Sequence, residues 1–300
     1  MKKKTHYKTE YFLFYVLKII IGLSPNFLLP FYYKTLSKAL LLAGKKYKKI
    51  ILKNLEIAFP DKTDTEKEKL VRESFLYLSR LMIDLIKFPT IEKIEKRIEK
   101  GDISSLENSL KSDKGIILIS GHFGNWESGL LWLGKFVSPI NIITRRMDNP
   151  YIEKLLKKIR EQTGNKIIHK DNRAALKILK LLRHNKSVGL MVDLNQQKKE
   201  GIFIDFFSKK ASTSPAAAIF HLKTGAPIIF AFCIPKGKGY KIYTLPPITH
   251  TPTGDKQKDI EIITRKINKT LEDEIRRYPS SYFWFHKRWK ERPTEEENIY

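Results

Sequence analysis

The residues best suited to chemistry sit in one short stretch, residues 114–130, KGIILISGHFGNWESGL. It contains His122 and, five positions later, Glu127. On one continuous helix that spacing is about 500°, which points the two side chains to different faces, because only residues three and four apart meet. They converge only if the chain bends between them, and Gly124-Asn125 supplies a bend. Asn125 is a good N-cap, which puts Glu127 in the first helical turn, where free N–H groups favour a carboxylate. An ionised Glu127 would then hold one nitrogen of His122 and leave the other free to take a proton. That is the base and orienter of a triad without its own serine or cysteine nucleophile, and it suits deprotonation of an alcohol supplied by a substrate. A plainer reading fits the same residues: a histidine satisfied in a turn and a glutamate capping a helix.

The elements around this stretch must place it. Residues 116–119 form a continuous apolar run, the pattern of a strand buried on both faces. Residues 126–136 can be helical, so His122 lies where a buried strand gives way to a loop, the usual place for chemistry in an open α/β sheet. Upstream, Thr63 and Glu66 read as a capping box opening a helix that Pro89 stops, and Ile91, Ile94 and Ile98 mark a short helix before Gly101. Downstream, residues 140–144 read as a strand and Asn149-Pro150 as a helix start. Arg160 borders the buried face of that helix, either snorkelling to solvent or aimed into a site. A strand at 166–169, a helix at 171–183 and a buried strand at 188–192 follow, the last ending in Asp193. Asp193 thus repeats the position of His122, a polar residue at the end of an apolar strand. Residues 212–215 start an alanine-rich helix closed by Gly225, and its N-terminus, with Ser214, is a ready anion site. Residues 227–234 and 240–245 read as a hairpin, and a long amphipathic helix spans about 258–278.

The whole chain adds bounds. Its 300 residues can bury a large core, and a net charge of +25 argues for an anionic partner: nucleic acid, anionic lipid or an acidic protein. One cysteine, Cys233, excludes an intramolecular disulfide, and the scattered histidines lack zinc-site spacing. At the N-terminus, MKKKTHYK precedes an apolar stretch at 11–23 and a second at 27–33. As a helix, 11–23 spans roughly 20 Å, short of the ~30 Å hydrocarbon core. The expectation is a retained membrane element, spanning or dipping into one leaflet, with the leading lysines keeping the terminus cytoplasmic; a buried core helix is the alternative. The chain closes with YFWFHKRWKERP, which reads as a membrane-surface patch, a nucleic-acid stacking surface or a docked tail, aromatic residues beside lysines suiting the first best.

Taken in order, these residues form a resemblance. GHFGNWE resembles the H-x4-D/E motif of the lysophospholipid acyltransferase superfamily, in the glutamate form of the late acyltransferases of lipid A biosynthesis, the lauroyl and myristoyl transferases. Asn54-Leu55 with Ala58-Phe59-Pro60 looks like that family's N-L-x-x-x-F-P, and Arg145 with Asp148-Asn149-Pro150 like its Y-R-P-x-x-N-P. Arg160 follows at the spacing of the family's functional arginine, and Asp193 matches the aspartate of its strand-ending D-Q. Phe206-Phe207 looks like its F-F-G, and Trp284, His286, Arg288, Trp289, Arg292 and Pro293 like its C-terminal W-x-H-R-R-W-x-x-R-P. Leu194, Ser208 and Arg146 depart from the usual glutamine, glycine and proline.

The resemblance implies an α/β fold, a central mixed sheet flanked by helices as in glycerolipid acyltransferases, with a membrane-associated helical segment at 1–35 and the acyltransferase domain at 36–300. It implies transfer of a fatty acyl chain from acyl carrier protein to a hydroxyl of a lipid A precursor, without a cofactor or metal, at the cytoplasmic face of a bacterial inner membrane. Another glycolipid or phospholipid acceptor is the alternative. The partners implied are acyl carrier protein, the lipid A precursor and an anionic membrane surface, with no nucleic acid. His122, Glu127, Arg160 and Asp193 become the expected catalytic residues, Arg160 binding phosphate or an oxyanion and Asp193 fixing Arg160 or another donor. Arg145, Asn125 and Ser214 become the expected substrate-binding residues. The rival from another class is a basic, membrane-associated binding protein without turnover.

Overall fold

The computed structural model describes residues 2–171, 173–294 and 296–300. The chain opens with α1 (Lys2–Leu23), α2 (Leu29–Ala43), α3 (Lys45–Ala58) and α4 (Asp64–Lys87). Thr63 and Glu66 form the expected capping box at the start of α4, each side chain bonding the other's backbone N–H. Then come α5 (Ile91–Ile94), β1 (Ile98–Lys100), α6 (Ser104–Leu110), β2 (Ile116–Ser120), α7 (Trp126–Phe136) and β3 (Ile140–Thr144). They are followed by α8 (Pro150–Glu161), β4 (Lys166–His169), α9 (Ala174–Arg183), β5 (Ser187–Met191), β6 (Ile202–Phe206) and β7 (Lys209–Thr213). The chain continues with α10 (Ala216–Thr224), β8 (Ile228–Lys236), β9 (Gly239–Thr244) and α11 (Lys256–Arg277).

Seven strands form one mixed sheet in the order β1-β9-β8-β2-β5-β3-β4, with β8 and β9 antiparallel and the other pairs parallel. This is the α/β fold, a mixed sheet flanked by helices, that the resemblance implies. On β2, Ile117 and Ile119 face a core shared with α3, α9, α10 and α11, while Ile116 and Leu118 face a second core shared with α6 and α7. A strand buried on both sides needs no alternation, hence the unbroken apolar run.

Two elements differ from expectation. Ile98 begins a strand, not the end of a helix, because it pairs with Tyr240 at the sheet edge. Ser212 and Thr213 lie in β7, which pairs with β6 as a separate hairpin, so the alanine-rich helix starts only at Ala216.

The N-terminal segment is not a buried core helix. Phe12, Leu13, Leu17, Ile20, Leu23, Phe27 and Phe31 are exposed. Among the described residues no single helix is long and apolar enough to cross a membrane, but His6–Leu23 and Asn26–Ala43, bent by 115°, pass that test as a pair. The bend is held by Lys87, whose Nζ donates to the carbonyls of Gly22 and Ser24. A division at residue 35 falls inside α2, which packs along α4. The side chains of the leading lysines at 2–4 lie outside those described.

The aromatic-basic tail is a docked tail, and the membrane-surface reading is overturned. Trp284, Arg288 and Trp289 are all but fully buried. Arg288 donates to the Ser212 carbonyl at 2.8 Å and to Thr213 Oγ1 at 2.6 Å, while its guanidinium lies over the Phe206 ring. Asn54 Nδ2 donates to the carbonyls of Trp284 and His286, both at 2.8 Å.

Candidate active site

β2 and β5 are parallel neighbours, with Ser120 opposite Met191. His122 and Asp193 each lie two residues past those ends, so strands about 4.8 Å apart deliver them side by side. His122 Nδ1 donates to Asp193 Oδ1 at 2.9 Å, and the His122 backbone N–H donates to Oδ2 at 2.9 Å. The carboxylate therefore fixes both the ring and the loop that bears it. Burial disfavours a charged His122, but the Asp193 carboxylate outweighs it and the histidine pKa is raised from 6.5. Burial likewise disfavours an ionised Asp193, and its bonds to His122 override this and hold its pKa below 3.8.

This corrects the expected partners. Glu127 does not hold His122; its carboxylate accepts from Arg160 Nε at 3.0 Å and from an Arg160 Nη at 2.5 Å. Asp193 holds the histidine instead of Arg160. The physical reason is the turn between them. Gly124 adopts φ +61°, and α7 leaves it with Glu127 facing α8, where Arg160 occupies the last turn. Burial works against a charged Arg160, but the Glu127 bonds reverse that and strengthen its hold on the proton. Arg160 is thus aimed into the site, not snorkelling.

The loop itself is clamped from both sides. The Gly124 N–H donates to the Ser281 carbonyl at 2.8 Å, the Asn125 N–H to the Cys233 carbonyl at 2.7 Å, and the Phe283 N–H to the His122 carbonyl at 2.9 Å. The C-terminal tail therefore braces the turn that carries His122. Asn125 Oδ1 accepts from the Ser128 N–H and caps α7, as expected, but Asn125 is buried and does not border the cavity, so it is a structural residue, not a substrate ligand.

His122, Glu127 and Arg160 border a cavity of about 790 Å³. Its inner wall is apolar, with Leu118, Leu130, Leu133, Ile142, Leu190 and Ala231 among its residues. Arg145 and Ser214 also border it, Arg145 being exposed and 3.6 Å from Asp148. Of the expected anion site at 212–215, only Ser214 reaches the cavity; Ser212 and Thr213 are buried against Arg288. Among the cavity residues that the sequence left unassigned, three stand out. Trp126 meets the His122 ring edge to face at 5.1 Å, and Asn195 and His286, bonded to each other, also border the cavity. His286 lies inside a quoted motif, but only the fold brings it to this cavity. Cys233 also borders it, yet burial pushes its thiol pKa far up, which leaves no thiolate nucleophile at neutral pH.

A sequence model described as bacterial lipid A biosynthesis acyltransferase matches residues 1–291 of this chain. The chain belongs to that acyltransferase family. Among curated relatives, the lipid A biosynthesis lauroyltransferase of Escherichia coli (strain K12) is 26% identical over 263 residues, 86% of this chain and 84% of that protein. The lipid A biosynthesis palmitoleoyltransferase of the same organism is 24% identical over 261 residues, 85% of this chain and 83% of its own. A phosphatidylinositol mannoside acyltransferase of Mycolicibacterium smegmatis (strain ATCC 700084 / mc(2)155) is 22% identical over 227 residues, 74% of this chain and 73% of its own. Among solved structures, a 1-acyl-sn-glycerophosphate acyltransferase from Thermotoga maritima matches 82% of this chain and 96% of its own, with 15% identity and a TM-score of 0.36.

For this acyltransferase, the N-terminal helix reaches the site's framework. Asn149 Oδ1 caps α8, while its Nδ2 donates to the Tyr7 carbonyl at 2.9 Å and to Glu10 Oε2 at 3.0 Å. Tyr11 packs on Tyr151 with ring centroids 5.6 Å apart. The helix expected to be a membrane element is therefore also a neighbour of the helix that carries Arg160.

Proposed function

We propose that this protein moves a fatty acyl chain from the thioester of acyl carrier protein to a hydroxyl of a lipid A precursor. The observation that carries this reading is a histidine oriented by a buried carboxylate on one nitrogen and open to a largely apolar cavity on the other. Among the described residues no serine or threonine hydroxyl is hydrogen-bonded to the His122 ring, so the base acts on a group that the substrate brings.

His122 Nε2 takes the proton of the acceptor hydroxyl as its oxygen bonds to the thioester carbonyl carbon. Asp193 holds Nδ1–H and stabilises the imidazolium that forms. The negative charge that develops on the carbonyl oxygen is met by donors in the cavity, with the Arg160 guanidinium, steadied by Glu127, nearby. The carbon–sulfur bond then breaks, and the leaving thiolate takes the proton from His122. The acyl chain lies along the inner wall, which offers it Leu118, Leu133 and Ile142.

The same reading places the protein at the cytoplasmic face of the inner membrane. Its exposed apolar α1–α2 pair would enter the near leaflet, and its net charge of +25 would favour anionic lipid and an acidic carrier. A relative named for a mannoside acceptor keeps a second glycolipid acceptor in view. Mass spectrometry of lipid A from cells with and without the protein separates the two, together with transfer assays on purified acceptors. One added acyl chain on lipid A is expected. Unchanged lipid A, with transfer to the other acceptor, would replace the acceptor; no thioester consumption with any acceptor would refute the enzyme reading.

A further inference from the structure

The cavity holds a second histidine that the mechanism above does not use. His286 borders the same cavity as His122, and its ring is placed by the main chain: the Asn195 N–H donates to Nε2 at 2.9 Å. An amide N–H can only donate, so Nε2 is the unprotonated nitrogen and the proton of the neutral ring sits on Nδ1. The ring is neutral because burial lowers its pKa to about 4; Asp193 pulls the other way, and the positive charges of Arg288, His122 and Lys290 add to the lowering. Among the described residues, the ring's hydrogen bond is the one Nε2 accepts from Asn195, and none is made by Nδ1. The backbone here is fixed too, since the His286 carbonyl accepts from Asn54 Nδ2 at 2.8 Å and from the Arg288 N–H at 2.9 Å.

A ring so placed is a poor base and a good donor. A neutral imidazole N–H can polarise a carbonyl without giving up its proton, and a donor fixed in advance acts most strongly where negative charge develops. We propose that His286 is a catalytic donor of this acyltransferase, its Nδ1–H bonding the acyl carbonyl oxygen as that oxygen gains charge. The proposal deepens the acyl-transfer reading and rests on it. It also gives a task to the C-terminal tail, which carries His286 into the cavity while Arg288 and Trp289 lock the tail beneath.

Two substitutions separate donation from packing. His286→Gln puts an amide where Nε2 was; its oxygen still accepts from the Asn195 N–H, but nothing donates from the Nδ1 position. His286→Asn puts an amide N–H where Nδ1 was. With thioester and acceptor, His286→Gln should lower kcat by about 10²–10³, the effect of losing one oxyanion donor, with KM changed less than about threefold. His286→Asn should recover at least tenfold of that loss. Unchanged kcat in His286→Gln, or equal losses in both variants at equal thermal stability, would overturn the proposal. A second readout needs neither turnover nor a variant's activity. In the full-length protein labelled with ¹⁵N-histidine, the His286 signals should show the neutral Nδ1–H tautomer throughout pH 6–8. An Nε2–H tautomer, or protonation near the ordinary histidine value of 6.5, would overturn it even where transfer is robust. Failure of the wild-type protein to transfer any acyl group would instead defeat the functional reading while leaving this tautomer measurement standing.

Discussion

A carboxylate that accepts from both the ring and the backbone of one histidine does two things at once. It fixes the tautomer, so that Nε2 is the nitrogen that takes a proton, and it makes that nitrogen a stronger base by stabilising the imidazolium. The Asp193 contact raises the His122 pKa against the effect of burial, so the working neutral form grows with pH through a midpoint above 6.5. Transfer should therefore show an acidic limb with its midpoint above that value. In Asp193→Asn the carboxylate is gone, and burial and the Arg160 charge are opposed only by the weaker pull of Glu127, so the midpoint should move to lower pH while the plateau falls by about 10²–10⁴, as it should in His122→Ala. A pH–rate profile on folded protein checks both. An Asp193→Asn limb at the wild-type position would show that Asp193 does not set the base. His122, Glu127, Arg160 and Asp193 were all legible as types in place, two of them at matched strand ends. Their pairing was not, because it depends on β5 lying beside β2, and sequence order puts two strands and three helices between them.

At the scale of elements, the turn between β2 and α7 decides what each of its side chains meets. Gly124 is left-handed, and a Cβ added there would lie 2.1 Å from the Cys233 carbonyl oxygen. The strand β8 passes so close because the Asn125 N–H bonds that same carbonyl, and Tyr77 secures the Gly124 carbonyl from α4 at 2.8 Å. Gly124→Ala should cost about 1–2 kcal/mol for the left-handed backbone alone, with the clash in addition. The turn must shift to relieve it, so His122 leaves Asp193 and activity falls further than stability does. Thermal melts beside initial rates check this; a variant with full activity and a wild-type melting temperature would mean the turn tolerates a side chain. The bend at Gly124-Asn125 and the cap by Asn125 were readable from residue type, since both are local. The direction of Glu127 was not, because its partner lies on α8, thirty-three residues away.

Across the whole molecule, the basic residues and the exposed apolar ones divide between two tasks that composition alone could not separate. The tail's Arg288 and Trp289 face inward and brace the site, so an aromatic-basic string that suits a membrane surface became part of the core. Most of what remains apolar and exposed is gathered on α1, α2 and the turn between them, with Leu17 52% and Phe27 78% exposed. A bent pair of this kind suits entry into one leaflet, while surface lysines add attraction to anionic headgroups of about 1 kcal/mol each. The two contributions respond differently to salt, because at about 1 M the screening length shrinks to about 3 Å while apolar burial persists. The double variant Leu17→Glu, Phe27→Glu changes only exposed positions, so its fold should hold. Each lost apolar side chain removes up to about 1.5–3 kcal/mol of burial in lipid, and every 1.4 kcal/mol is a factor of about ten. Binding to vesicles of phosphatidylethanolamine and phosphatidylglycerol, measured by flotation, should weaken about a hundredfold for the double variant. For the parent protein, about 1 M salt should weaken binding but not abolish it. If the double variant floated as well as the parent at high salt, the α1–α2 pair would not be the lipid-entering surface, and the contact would have to lie on another face of the molecule.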